Sequence, residues 1–167
     1  MNLKEKKEKM YKRYIEQISS QMNKTSDVIS KMATIIAVLH NKIPYFFWTG
    51  FYFLNGDNLT VGPYQGALAC LNLPKPKGVC WKAVLNKKTI IVPDVHKFED
   101  HIACDSRSNS EIVIPVFDNK NNIYAVFDID SDRYDAFDDA DEKYLSIIVD
   151  KFLKVSEENI KIGFSKD

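Results

Sequence analysis

The sequence predicts an α+β domain: a mainly antiparallel sheet with helices packed on one side and pocket-forming loops on the other. Three observations lead there. Helical apolar spacing fills the N-terminal segment. Short β-branched and aromatic runs separated by turn signals fill the middle. One more amphipathic segment, acidic at its start, follows them. Two helices, a mainly antiparallel sheet and a closing helix make an α+β domain.

The first helix, about Lys4 to Gln21, carries Met10, Tyr11, Tyr14, Ile15, Ile18 and Met22 on one face. The second is expected to begin at a cap, Thr25 or Ser26, and to bury Ile29, Met32, Ala33 and Ile36 before Pro44 ends the helical region. "YFFWTGFYFL" and "NLTVGPYQG" read as strands joined at Asn55-Gly56-Asp57, a hairpin turn signal. A proline-rich, cysteine-bearing loop, "LACLNLPKPKGVC", leads to a short helix around Trp81 to Asn86 and the strand "TIIV". A polar loop from Pro93 to Ser110 precedes the strands "EIVIPVFD" and "IYAVFDID", which flank a turn at Asn119 to Asn122. The last helix starts at Asp138, with Asp139, Asp141 and Glu142 in its first turn and Leu145, Ile148, Val149 and Phe152 facing inward. The chain reads as one unit over 1–167: helices at about 4–41, sheet and pocket at about 44–131, and a C-terminal helix at about 138–155.

Composition narrows the classes of function. Of 167 residues, 45% are hydrophobic and 28% charged, and 23 basic residues balance 23 acidic ones. That balance removes the electrostatic case for nucleic acid or an anionic membrane as partner. No apolar run nears the ~18 residues that span a bilayer, and the basic N-terminus lacks the apolar centre of a secretory signal. A reducing cytoplasm is therefore expected. There, three cysteines suit transient redox chemistry better than a static disulfide framework.

The strands after Ser110 hold three carboxylates. With Asp118 opposite Ile123, Glu111 falls opposite Asp130 and Val113 opposite Asp128, so Glu111, Asp128 and Asp130 share one face. Frayed, solvated strand ends are the plain alternative. The sharper reading is a cluster built for a cation, a metal or a proton, because crowded carboxylates raise one another's pKa. A one-residue slip would undo it.

Cys104 sits in "HIACDSRSNSEIV", followed by Asp105, Ser106, Arg107, Ser108, Asn109 and Ser110, a stretch unable to pack a core. Cys70 and Cys80, each taken alone, read as small core residues. Zinc is poorly supported, since there is no C-x-x-C and His101-x-x-Cys104 is the sole close pairing; no metal and no cofactor are expected. His101 offers a base for a Cys104 thiolate, although a lone loop histidine is more often incidental. Thiol redox chemistry using more than one cysteine remains.

"WTGFYFL", "VGPYQGALAC", "GVC", "VPDVHKFEDHIACDSRSNSEIVIPVF" and "FDIDS" resemble, in order and spacing, the GAF-domain free methionine-(R)-sulfoxide reductases. The resemblance covers Trp48 to Ser131 and implies a GAF fold. It implies Cys104 as nucleophile, Cys70 as the resolving cysteine and Cys80 as a third, accessory one. Trp48, Tyr52, Glu111, Asp128 and Asp130 match the pocket for free methionine sulfoxide. The chemistry implied is attack by Cys104 on sulfur, a sulfenic acid, a disulfide, and recycling by a thioredoxin-like donor. The family's loop has glycine where Pro76 stands and again where Trp81 stands, which puts Cys80 in a remodelled loop while Cys70 follows a strand; a Cys70–Cys104 disulfide with Cys80 free is expected. The rival is a non-catalytic GAF module sensing a small ligand, a class usually carried in longer chains with an output domain. Between monomer and homodimer the sequence does not choose.

Overall fold

A computed structural model describes residues 2–102 and 104–160; Met1, Ala103 and 161–167, parts of the expected 1–167 unit, lie outside the described residues. Helix α1 (Leu3–Met22) opens on a capping box between Asn2 and Glu5, and buries Tyr11, Tyr14, Ile18 and Met22. Helix α2 (Val28–Lys42) is capped by Asp27, not Thr25 or Ser26: the Asp27 side chain accepts from Ser30 N, while Thr25 Oγ1 accepts from Asp27 N. Its buried face is Val28, Met32, Ile35, Ile36 and Leu39; Ile29 is half-buried and Ala33 exposed, because the stripe that meets the core runs through 28, 32, 35 and 39.

Strands β1 (Trp48–Asn55), β2 (Asn58–Gln65), β3 (Asn72–Pro74), β4 (Ile90–Val92), β5 (Ser110–Phe117) and β6 (Ile123–Ser131) form one sheet in the order β3-β2-β1-β6-β5-β4. Every neighbouring pair is antiparallel. Between β3 and β4 lies helix α3 (Gly78–Asn86), and a 3₁₀ turn (Val95–Lys97) follows β4. Helix α3 begins at Gly78, earlier than expected; Gly78 itself stands at φ +87°, open to glycine at little cost, where the chain turns into the helix. Cys80 therefore sits in a first helical turn rather than in the preceding loop.

The two faces of the sheet carry separate cores. Phe51, Phe53, Ile112, Ile114, Val116, Ala125, Phe127 and Ile129 meet α1, α2 and helix α4 (Asp139–Phe152) on one face. Trp48, Tyr52, Val113 and Val126 meet α3 and the loops on the other. The alternation of β1, β4, β5 and β6 between these sets is the period-two pattern that the sequence displays. Behind α4, the short helix α5 (Glu157–Ile160) was not expected.

Asp141 ties the helical layer together. It is fully buried, accepts from Tyr11 and Tyr45 hydroxyls at 2.7 and 2.6 Å, and pairs with Lys7 of α1. Its carboxylate also accepts from Asp138 N, closing a capping box at the start of α4.

Candidate active site

Glu111 pairs with Asp130 and Val113 with Asp128, so the three carboxylates share the face opposite the helices. The expected register holds at the site for a reason the sequence does not reveal. At the turn, Phe117 pairs with Ile123, one residue off. Asp118 closes a wider turn, its side chain accepting from Lys120 and Asn122 backbone N–H groups, with Asn121 at φ +64°. A bulge on β6 at Tyr124 then restores the offset, and Val116 meets Ala125.

Strand β1 completes the floor. Trp48 pairs with Asp130, Gly50 with Asp128 and Tyr52 with Val126. Trp48 stacks on Tyr52 and Tyr64, with ring centroids 5.8 and 5.4 Å apart. Gly50 permits this wall: a Cβ there would lie 2.4 Å from Trp48 Cη2 and 2.5 Å from Tyr64 Cβ. Sequence reasoning passed over Gly50 and Tyr64, although a glycine inside a strand is itself a signal of close approach. Ser108, also passed over, is buried and makes a polar contact with Asp130; nothing in its serine-rich loop marks it out.

Above this floor, Cys70 and Cys104 are joined by a disulfide, their Cα atoms 5.4 Å apart. Cys70 is not on a strand end. It lies in the loop between β2 and β3, which is pinned from below: Tyr52 donates its hydroxyl to Cys70 O (3.1 Å) and Trp48 its indole N–H to Ala67 O (3.1 Å). Trp81 is buried and donates to Leu73 O (2.7 Å), so it ties α3 to strand β3 rather than covering the pocket. Cys104 is exposed. Beyond it, Asp105 receives both Nε and a terminal nitrogen of Arg107 (3.0 and 2.7 Å), which holds the Asp105 carboxyl down at about 2. The loop's far end is fixed by Asn109, whose N–H donates to Ser131 O and whose carbonyl accepts from Val95 N.

The pocket, open to solvent, spans about 580 Å³ and is lined by both disulfide cysteines, Cys80, Trp48, Tyr52, His101 and the three carboxylates, among others. Burial raises the pKa of each acid. Asp128 is pushed up to about 7, with polar contacts to Cys80 and Glu111 pulling the other way. Burial, then the charges of Asp128 and Asp130, pushes Glu111 well above the usual range; burial and Asp128 do the same to Asp130. The Cys80 thiol is likewise raised, by burial first and by Asp128, Glu111 and Asp130 after it. Cys80 is thus a neutral thiol, while the carboxylates carry little charge between them. Burial also lowers the His101 pKa, so its ring is neutral and lies 4.0 Å from Glu111.

Comparison with known proteins agrees with this architecture. The GAF domain model matches residues 34–152. The chain is 43% identical over 144 residues to GAF domain-containing protein A of Dictyostelium discoideum, covering 86% of this chain and 90% of that one. It is 39% identical over 127 residues to the free methionine-R-sulfoxide reductase of Escherichia coli K12, 76% of each chain. The crystal structure of the Neisseria meningitidis free methionine-R-sulfoxide reductase, in complex with its substrate, superposes with a TM-score of 0.84 at 36% identity, covering 93% of this chain and 90% of that one. The chain belongs to the GAF-domain family that contains the free methionine-R-sulfoxide reductases.

Proposed function

We propose that this protein reduces free methionine (R)-sulfoxide to methionine, with Cys104 as nucleophile and Cys70 as the resolving thiol. The observation that carries this reading is a disulfide at the mouth of a pocket floored by protonated carboxylic acids. The family membership supports the same reaction.

In the reduced enzyme the Cys104 thiolate attacks the sulfoxide sulfur while Glu111 or Asp130, held neutral by burial, donates a proton to the oxygen. Methionine leaves and Cys104 carries the oxygen as a sulfenic acid. The Cys70 thiol attacks that sulfur, the disulfide forms and water departs. Two electrons from a thioredoxin-like dithiol, in a reducing cytoplasm, restore both thiols by exchange. Tyr52 acts by holding the Cys70 backbone. The Trp48–Tyr52–Tyr64 wall receives the apolar end of the substrate, and an ionised Asp128 receives its ammonium. A methionine inside a peptide lacks that ammonium, hence the preference for the free amino acid. Cys80 stays outside the thiol exchange, buried and neutral.

The test is incubation of the reduced protein with racemic free methionine sulfoxide and dithiothreitol, followed by chiral analysis. Loss of the R epimer alone is expected, and folded Cys104→Ser should be inactive. Substrate binding without turnover would instead make the protein a ligand-sensing GAF module.

A further inference from the structure

We propose that the pocket floor is also a site for a borderline divalent cation such as Zn²⁺, held by Cys80, Glu111 and Asp128 in competition with substrate. The Cys80 sulfur and one carboxylate oxygen each from Glu111 and Asp128 lie within 4.8 Å of one another. These side chains come from α3, β5 and β6, and their residues are 3%, 6% and 6% exposed. Fixed elements therefore hold all three donors. In a tetrahedral zinc site, with Zn–S near ~2.3 Å and Zn–O near ~2.0 Å, donor atoms stand about 3.5 Å apart. Closing the difference takes about 1 Å of movement between donor atoms.

Two buried polar atoms beside the donor set, Asp128 Oδ1 and His101 Nδ1, lack a hydrogen-bond partner among the described residues. His101 Nδ1 is 4.0 Å from Glu111 Oε2, next to the donor set and available as a further ligand. The one lysine lining the pocket, Lys77, is 63% exposed at its side chain and sits 4.0 Å from Asp100. A buried carboxylate oxygen without a donor is costly unless a cation or proton meets it.

The donor types select the ion. One sulfur, two carboxylate oxygens and an imidazole suit Zn²⁺ or Co²⁺; Mg²⁺ and Ca²⁺ avoid sulfur. Binding is coordination without redox change: the metal takes the Cys80 thiolate and the two carboxylates, and the displaced protons go to solvent. Because Asp128 is the group assigned to the substrate ammonium, metal and substrate exclude one another. That competition rests on the proposed reading of the pocket, whereas the binding itself does not. The ion is an inhibitor here and takes no part in turnover.

The disulfide form is the protein to test, because two of the three cysteines are then bonded and Cys80 is the sole thiol of the chain. Titration with Co²⁺ should saturate at one ion per chain, with a sulfur-to-cobalt charge-transfer band that Zn²⁺ bleaches and excess free methionine suppresses. Cys80→Ser should abolish the band. Should that variant not fold, Glu111→Gln and Asp128→Asn should each weaken binding about tenfold or more while the band persists at saturation. A band surviving in Cys80→Ser, no saturable band in the parent, or affinity unchanged in both carboxamide variants overturns the site. A band indifferent to methionine overturns the competition. Turnover measured in chelator tests the reductase reading separately: a cobalt band without turnover leaves the metal site standing and removes the enzyme.

Discussion

Gly50→Ala tests whether the aromatic wall is set by one missing Cβ. The added carbon would lie 2.4 Å from Trp48 Cη2 and 2.5 Å from Tyr64 Cβ. Carbon atoms pack at about 3.5–4.0 Å, so the tryptophan ring must retreat by about 1 Å or more, as must β2 at Tyr64. Tyr64 Cβ is next to backbone and yields little. The ring therefore moves, weakening its stacking on Tyr52 and Tyr64 and its bond to Ala67 O. Overpacking of this kind costs about 1–3 kcal/mol, and disturbed stacking adds about 0.5–1.5 kcal/mol. For a chain of this length a total near ~3 kcal/mol lowers Tm by roughly 6–12 °C. Since Trp48 also pins the loop carrying Cys70, KM for free methionine sulfoxide should rise about tenfold. Differential scanning fluorimetry and steady-state kinetics read both effects. A Gly50→Ala protein with parental Tm and parental KM would refute the claim that Trp48 occupies the space over position 50.

Asp130→Asn should lower kcat/KM by about 100-fold, since an amide cannot supply a carboxylic proton; a loss below about threefold would remove Asp130 from the chemistry. The pH dependence of stability should run downhill from acid to neutral. Glu111, Asp128 and Asp130 all have folded pKa values above their unfolded ones. Their contribution is complete below the unfolded values and is lost as pH rises through the folded ones, about 7 for Asp128. Between about pH 5 and 8 the substrate-free protein should lose at most ~1.4 kcal/mol per pH unit per group, and Glu111→Gln should flatten the slope. An identical slope in parent and Glu111→Gln would contradict this. Asp141→Ala strips Lys7, Tyr11 and Tyr45 of their shared partner and should cost about 3 kcal/mol or more, read as a lower Tm; an unchanged melting curve would mean that the cluster contributes nothing.

Much of the protein was written locally. Strand alternation, helical faces and the acidic start of α4 depend on neighbours a few residues away, so the sequence determined the α+β class, the antiparallel pairing and the common face of Glu111, Asp128 and Asp130. Even there the agreement had two parts that cancelled, a wider turn closed by Asp118 and a bulge at Tyr124. Bulges arise from packing between strands, which no local pattern records. The same limit applied to the cysteines. The Cys70–Cys104 pair was anticipated, but on the ground that Cys70 follows a strand and Cys80 a loop; the structure has Cys70 in a loop and Cys80 in a helix. What holds Cys70 in place is the Tyr52 hydroxyl reaching its carbonyl across 18 residues of chain. Only the tertiary structure could decide that, and with it the burial that raises the pKa of three acids and one thiol. Burial is a property of everything folded around a residue, and the sequence names the residue without its surroundings.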